Sequence, residues 1–91
     1  MSILNIDIQF NQCVNDVQHL LVKPSNDDLL KLYALYKQSL FGSNKESTPS
    51  FFDFKSKAKF EAWDKVKTLS KNTAKKEYIN LVEQLKVKYG F

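Results

Sequence analysis

Along the chain, apolar side chains recur every three or four positions in four separate stretches divided by polar breaks, the spacing of amphipathic helices. The first stripe runs through Phe10, Cys13, Val14, Val17, Leu20 and Leu21. It is expected to stop near Lys23-Pro24, because a residue before proline is pushed out of the helical region. Ser25 then stands as a helix N-cap, with Asp28 three residues on and Asp27 beside it, near the positive end of the helix dipole. The second stripe carries Leu29, Leu30, Leu32, Tyr33, Leu35, Tyr36 and Leu40 to about Phe41, an arc wider than one buried face needs. Gly42 ends it.

Residues 42–54 read as a loop, long for a compact domain. Its first half is polar and contains Pro49; its second half, Phe51-Phe52-Asp53-Phe54, is apolar enough that it is expected to pack against the body. A third helix is expected from near Ser56, with Phe60, Ala62, Trp63, Val66 and Leu69 inward and Lys55, Lys57 and Lys59 crowded at its start, where cations oppose the helix dipole. Ser70 is placed to cap a fourth helix ending at Tyr89-Gly90, with Ala74, Tyr78, Leu81, Val82, Leu85 and Tyr89 as its stripe. Glu83 to Lys86 is assigned to its wet side. No internal repeat interrupts this plan, so residues 1–91 are read as one all-α domain.

Composition narrows the function classes. With 43% hydrophobic residues the chain can bury a core, and two glycines and two prolines are too few for a many-stranded sandwich or barrel. The single cysteine, Cys13, forms no internal disulfide and reads as a buried thiol; the single histidine, His19, reads as a surface residue. No Cys/His cluster offers a metal site, and no nucleophile elbow or glycine-rich phosphate loop points to an enzyme. No signal peptide is legible at the N-terminus, and no apolar run approaches the roughly 20 residues of a membrane span. The reading is a cytoplasmic protein. Charge is uneven: residues 1–54 hold four lysines against six acids, and residues 55–91 hold ten against four. An anionic partner is therefore expected at the C-terminal half. All fourteen cations are lysine, which disfavours base-specific DNA reading but suits point contacts to phosphate.

Aromatic and basic residues interleave at helical spacing. Tyr33 and Lys37 stand four apart on the second helix, Lys55 and Lys59 four apart on the third, and Tyr78 lies on the fourth. Tyrosine offers a ring and a hydroxyl, and lysine neutralises phosphate. That combination fits a phosphate-bearing ligand with an aromatic base. It also fits single-stranded nucleic acid, so a basic helical nucleic-acid module is the alternative.

These residues carry a resemblance. Lys23-Pro24-Ser25, the Leu-x-x-Tyr-x-x-Tyr-Lys-Gln run from Leu30 to Gln38, and Asp53-Phe54-Lys55-x-Lys57-Ala58-Lys59-Phe60-x-Ala62-Trp63 resemble the acyl-CoA-binding protein (diazepam-binding inhibitor) family. So do Tyr78-Ile79 and the closing Lys88-Tyr89-Gly90-Phe91, and the likeness runs almost without gaps from about Phe10. It implies an antiparallel four-helix bundle of up-down-down-up topology, with residues 42–54 as an overhand loop between the second and third helices. It also implies a monomeric carrier of medium- and long-chain fatty acyl-CoA. Such a carrier needs no cofactor or metal and catalyses nothing; its contacts with membranes or enzymes would be at most transient, for delivery of the ligand. By position, Tyr33, Lys37, Lys59 and Tyr78 match the family's contacts to the adenine and 3′-phosphate end. Leu29 and Leu30 match the acyl groove, and Lys55 a position near the ligand's middle. Thr48 stands where many relatives have arginine, and Phe60 where tryptophan is usual. Residues 1–4 form a short extension the family does not explain.

Overall fold

Each helix starts on a side chain that satisfies a backbone N–H its first turn leaves free. The computed structural model describes residues 5–91, so the expected extension at 1–4 lies outside the described residues. Asn5 caps α1 (Ile6–Asp16), accepting hydrogen bonds from the N–H groups of Asp7 and Ile8. Ser25 caps α2 (Asn26–Phe41) by accepting from Asp28 N–H at 3.1 Å. Asp53 caps α3 (Phe54–Asp64) through Ser56 N–H, and Ser70 caps α4 (Lys71–Tyr89) through Thr73 N–H. Gly42 and Gly90 take φ of +75° and +84° just past α2 and α4, a conformation that glycine adopts without a Cβ penalty.

Three boundaries differ from the sequence expectation. α1 tightens into a 3₁₀ turn at Val17–His19, and Leu20 is already extended, so Leu21 leaves the stripe and is 75% exposed. α3 begins at Phe54, because Asp53 caps it two residues earlier than expected. It ends at Asp64, leaving Val66 and Leu69 half-buried in the turn that follows. Phe51, Phe52 and Phe54 do not pack inward: they are 67%, 81% and 72% exposed.

Polar pairs between helices give the topology. Asp7 meets Lys75 and Asp16 meets Lys86, each at 2.7 Å, so α1 and α4 run parallel. Asp28, at the start of α2, bonds Lys88 and Tyr89 at the end of α4, so these two run antiparallel. The end of α2 meets the end of α3, where the Gln38 amide donates to the carbonyls of Lys67 and Leu69, so these run parallel. The result is the up-down-down-up order. The connection between the parallel pair folds back over α3: Ser43 donates to the Lys67 carbonyl and Asn44 to that of Phe60.

The core lies where α1, α2 and α4 converge, around Phe10, Cys13, Leu32, Leu35, Tyr78, Val82 and Leu85. Burial pushes the Cys13 thiol pKa up, as an inert core thiol requires. His19 is exposed, its ring beside the Asn15 carbonyl. Lys86 departs from its assignment to the wet side of α4. Its ammonium reaches Asp16 at 2.7 Å and Glu83 at 3.0 Å, and its side chain is largely covered. Its long aliphatic stem can lie along apolar surface while the charge is held by α1.

Candidate functional site

α3 touches α2 but not α4, so the two flanking helices diverge and leave space over α2. A cavity of about 720 Å³ opens between them. Small residues on the facing sides, Ala34 on α2 with Ala58 and Ala62 on α3, make this space, and Leu30, Val66 and Leu81 give it apolar walls. Polar residues such as Asp27, Lys65 and Gln84 also line it. The dimensions suit a small-molecule ligand with an apolar part.

A second feature occupies the other side of the α2–α3 contact. The Lys37 ammonium lies 4.6 Å from the Phe41 ring centroid, 5.0 Å from that of Trp63 and 5.9 Å from that of Tyr33. The Lys59 ammonium, from α3, lies 5.3 Å from the same Tyr33 ring. Two cations therefore share one tyrosine. Among the described residues neither lysine has a carboxylate within ion-pair distance. Like charges held together by rings rather than by acids leave a field that favours an anion.

Tyr78 stands deeper. It is 3% exposed, with its ring 5.0 Å from Phe10 and 6.3 Å from Tyr36. Burial, with smaller contributions from Cys13 and Tyr36, pushes its hydroxyl pKa up to about 12, so it stays a neutral donor. Among the described residues this hydroxyl makes no hydrogen bond, a costly state for a buried polar group. Burial also raises Tyr33, helped by Glu46. Tyr36, one helical turn from Tyr33 along α2, faces Phe10 and Tyr78 instead of Lys37 and Lys59.

The expected residues thus fall into groups. Tyr33, Lys37 and Lys59 are brought together; Tyr78 is not brought to them and packs in the core against Phe10 and Tyr36. Leu30 lines the cavity; Leu29 does not, and is 37% exposed. Lys55 is exposed in the first turn of α3, outside the cavity lining. Sequence reasoning missed the cavity's alanines as a set. Their signal was the pairing of small residues at i and i+4 on α3, Ala58 and Ala62. It also missed the alignment of α3 by Trp63, whose indole N–H donates to the Gln38 side chain at 3.1 Å and to the Gly42 carbonyl at 3.0 Å. Among the described residues no group of His, Cys, Asp and Glu could hold a metal ion. No helix there is long and apolar enough to cross a membrane.

The chain matches the family model described as acyl CoA binding protein over residues 7–82. It is 49% identical over 83 residues to Acyl-CoA-binding protein homolog 1 of Caenorhabditis elegans, an alignment covering 91% of this chain and 96% of that protein. With the Acyl-CoA-binding protein of Saccharomyces cerevisiae it shares 48% identity over 81 residues, 89% of this chain and 93% of the other. The fold superposes on the crystal structure of Oryza sativa Acyl-CoA-Binding Protein 2 with a TM-score of 0.88 at 33% identity, covering 92% of this chain and 93% of that one. The solution structure of the yeast acyl coenzyme A binding protein matches with a TM-score of 0.71 at 46% identity, over 90% and 95% of the two chains. The two lysines astride Tyr33 and the apolar-walled cavity across α2 thus stand in a chain that belongs to the acyl-CoA-binding protein family.

Proposed function

We propose that this protein is a monomeric, cytosolic carrier of medium- and long-chain fatty acyl-CoA esters, binding one ligand at a time and leaving it chemically unchanged. The whole described chain acts as a single binding domain. Lys37 and Lys59 neutralise the 3′-phosphate end, Tyr33 offers a ring to the adenine, and the Tyr78 hydroxyl donates to the ligand's phosphate or ribose oxygens. Leu30 and the alanine-lined cavity receive the acyl part, Leu29 stands at its edge, and Lys55 lies beside the ligand's middle.

The observation that carries this reading is the pair of lysine ammoniums sharing Tyr33 with, among the described residues, no acid within ion-pair distance. A ligand bearing several phosphate charges stabilises such a pair, and charge-assisted hydrogen bonds to it are stronger than neutral ones. The departures at Thr48 and Phe60 leave these contacts intact. Thr48 is exposed on the loop, and Phe60 is half-buried on α3 with its carbonyl held by Asn44. The nucleic-acid alternative lacks support in the geometry, because Tyr78 is buried among other rings and presents no face on which a base could stack.

Native mass spectrometry of the purified protein, followed by calorimetry with palmitoyl-CoA, tests the proposal. One acyl-CoA per chain with submicromolar affinity is expected. Absence of binding, or equal binding of a single-stranded oligonucleotide, would overturn it.

A further inference from the structure

The phenylalanines that were expected to pack inward project instead, and they do so at one end of the bundle. α1 and α4 finish where α2 and α3 begin: Leu21 N–H donates to the Gly90 carbonyl, and Ser25 N–H to the Tyr89 hydroxyl. Leu21, Val22, Phe51, Phe52, Phe54 and Val87 all lie at this end, each more than half exposed. Phe51 and Phe52 meet edge to face with centroids 5.4 Å apart. Lys23, Lys55 and Lys57 occupy the same end. None of them has a carboxylate within ion-pair distance among the described residues, and the Lys57 ammonium lies 5.0 Å from the Phe51 centroid. Asp53, the acid nearest Lys55 in sequence, is turned onto its own helix, where the Ser56 N–H holds its carboxyl below the usual range. Asp27, nearest Lys23, is exposed in the first turn of α2, and the three lysines outnumber these two acids.

We propose that this end is a docking surface for anionic lipid bilayers, with Phe51 and Phe52 entering the interface and Lys23 and Lys57 meeting lipid phosphates. Rings this exposed have no groove around them, so they ask for a fluid apolar layer rather than a shaped protein pocket. The surrounding unpaired cations select a negatively charged one. The surface adjoins the first two turns of α2 and α3, which carry Leu30 and Ala58 of the cavity wall. A docked molecule therefore holds its apolar cavity close to the membrane.

Flotation with vesicles of phosphatidylcholine, with and without phosphatidylserine, tests this on the ligand-free protein. Binding is expected only to the anionic vesicles. Phe52→Ala should weaken it about tenfold. Lys57→Ala should weaken it about fivefold. In Phe52→Trp the added indole should shift its emission to shorter wavelength when vesicles are mixed in, over a Trp63 background that is already buried. No flotation with anionic vesicles overturns the proposal, as does flotation that Lys57→Ala reduces while Phe51→Ala and Phe52→Ala leave it unchanged. Calorimetry with palmitoyl-CoA on the same samples is read separately, so failure of vesicle docking is distinguishable from failure of the carrier reading.

Discussion

Trp63 on α3 donates its indole N–H to the side-chain oxygen of Gln38 on α2, across a contact between helices that no other pair of buried polar side chains bridges among the described residues. The Gln38 amide in turn donates to the Leu69 carbonyl at 2.7 Å, just past α3. One glutamine thus fixes how far α3 advances along α2, and with it where Lys59 stands relative to Tyr33. Gln38→Ala would remove these two bonds and the longer one to the Lys67 carbonyl, and leave a cavity at a site only 1% exposed. A loss of about 2–4 kcal/mol is expected in urea unfolding. Acyl-CoA affinity should fall with it under conditions where the variant stays folded, because α3 is no longer held in register.

Lys59→Ala is expected to reduce acyl-CoA affinity about 10- to 100-fold, the loss of a charge-assisted hydrogen bond, while stability changes little, because Lys59 is exposed in the middle of α3. Lys37→Ala should be comparably damaging to binding. Lys37 also contacts Phe41 and Trp63, so some thermal stability should go too. Lys76→Ala is the matched control: it removes the same charge two positions from Tyr78, on the opposite side of α4. Calorimetry in which Lys59→Ala and Lys76→Ala weaken binding equally would reduce the site to net charge.

Affinity should rise with acyl length until the cavity is filled, by about 0.8 kcal/mol for each methylene buried. Raising the salt concentration should weaken the head-group contribution and leave that increment unchanged. Ala58→Leu, which fills part of the cavity wall, should cut affinity for long esters while sparing short ones. A titration series in which the variant loses short and long esters alike would separate the cavity from the acyl chain.

Two carboxylates make folding sensitive to acid. Hydrogen bonds from Tyr89, then Lys88, hold Asp28 below the usual carboxylate range; those from Lys86, then Gln12, do the same for Asp16. A carboxyl depressed on folding contributes stability above its unfolded pKa of about 3.9, and that contribution is lost as pH falls through the lower folded value. The melting temperature should therefore drop steeply below about pH 4. Asp16→Asn and Asp28→Asn should each start lower at neutral pH and fall less on acidification. Lys86→Met should flatten the Asp16 part of the curve without touching ligand affinity.

The four helices and their capping residues were legible in sequence because each signal is local: a stripe at helical spacing, a Ser, Asn or Asp before it, a glycine after it. The head-group set was legible for a different reason, since Tyr33, Lys37 and Lys59 stand in motifs whose spacing resembles a known family. What sequence concealed depends on distant elements. Lys86 looks solvated on its own helix, and only α1 supplies the Asp16 that covers it. The apolar Phe51-Phe52-Asp53-Phe54 run reads as core, yet the loop is anchored by Asn44 onto α3 and by Ser43 onto the turn after it, and the rings project at the end of the bundle where α2 and α3 begin. The cavity was hidden because it consists of atoms that alanines lack.

The parallel pairing of α1 with α4 has a bearing on how the chain comes into its shape during synthesis. Of the four helices α1 is made first and α4, against which it packs, last, and the ion pairs Asp7–Lys75 and Asp16–Lys86 join residues 68 and 70 positions apart. Such long-range closure is entropically slow compared with contacts between neighbouring segments. Until α4 arrives, Phe10 and Cys13 have no Tyr78 or Val82 to meet, and the apolar stripe of α1 stays uncovered. Truncations that stop before α4 should therefore accumulate as aggregation-prone or chaperone-bound chains, even though three of the four helices are present.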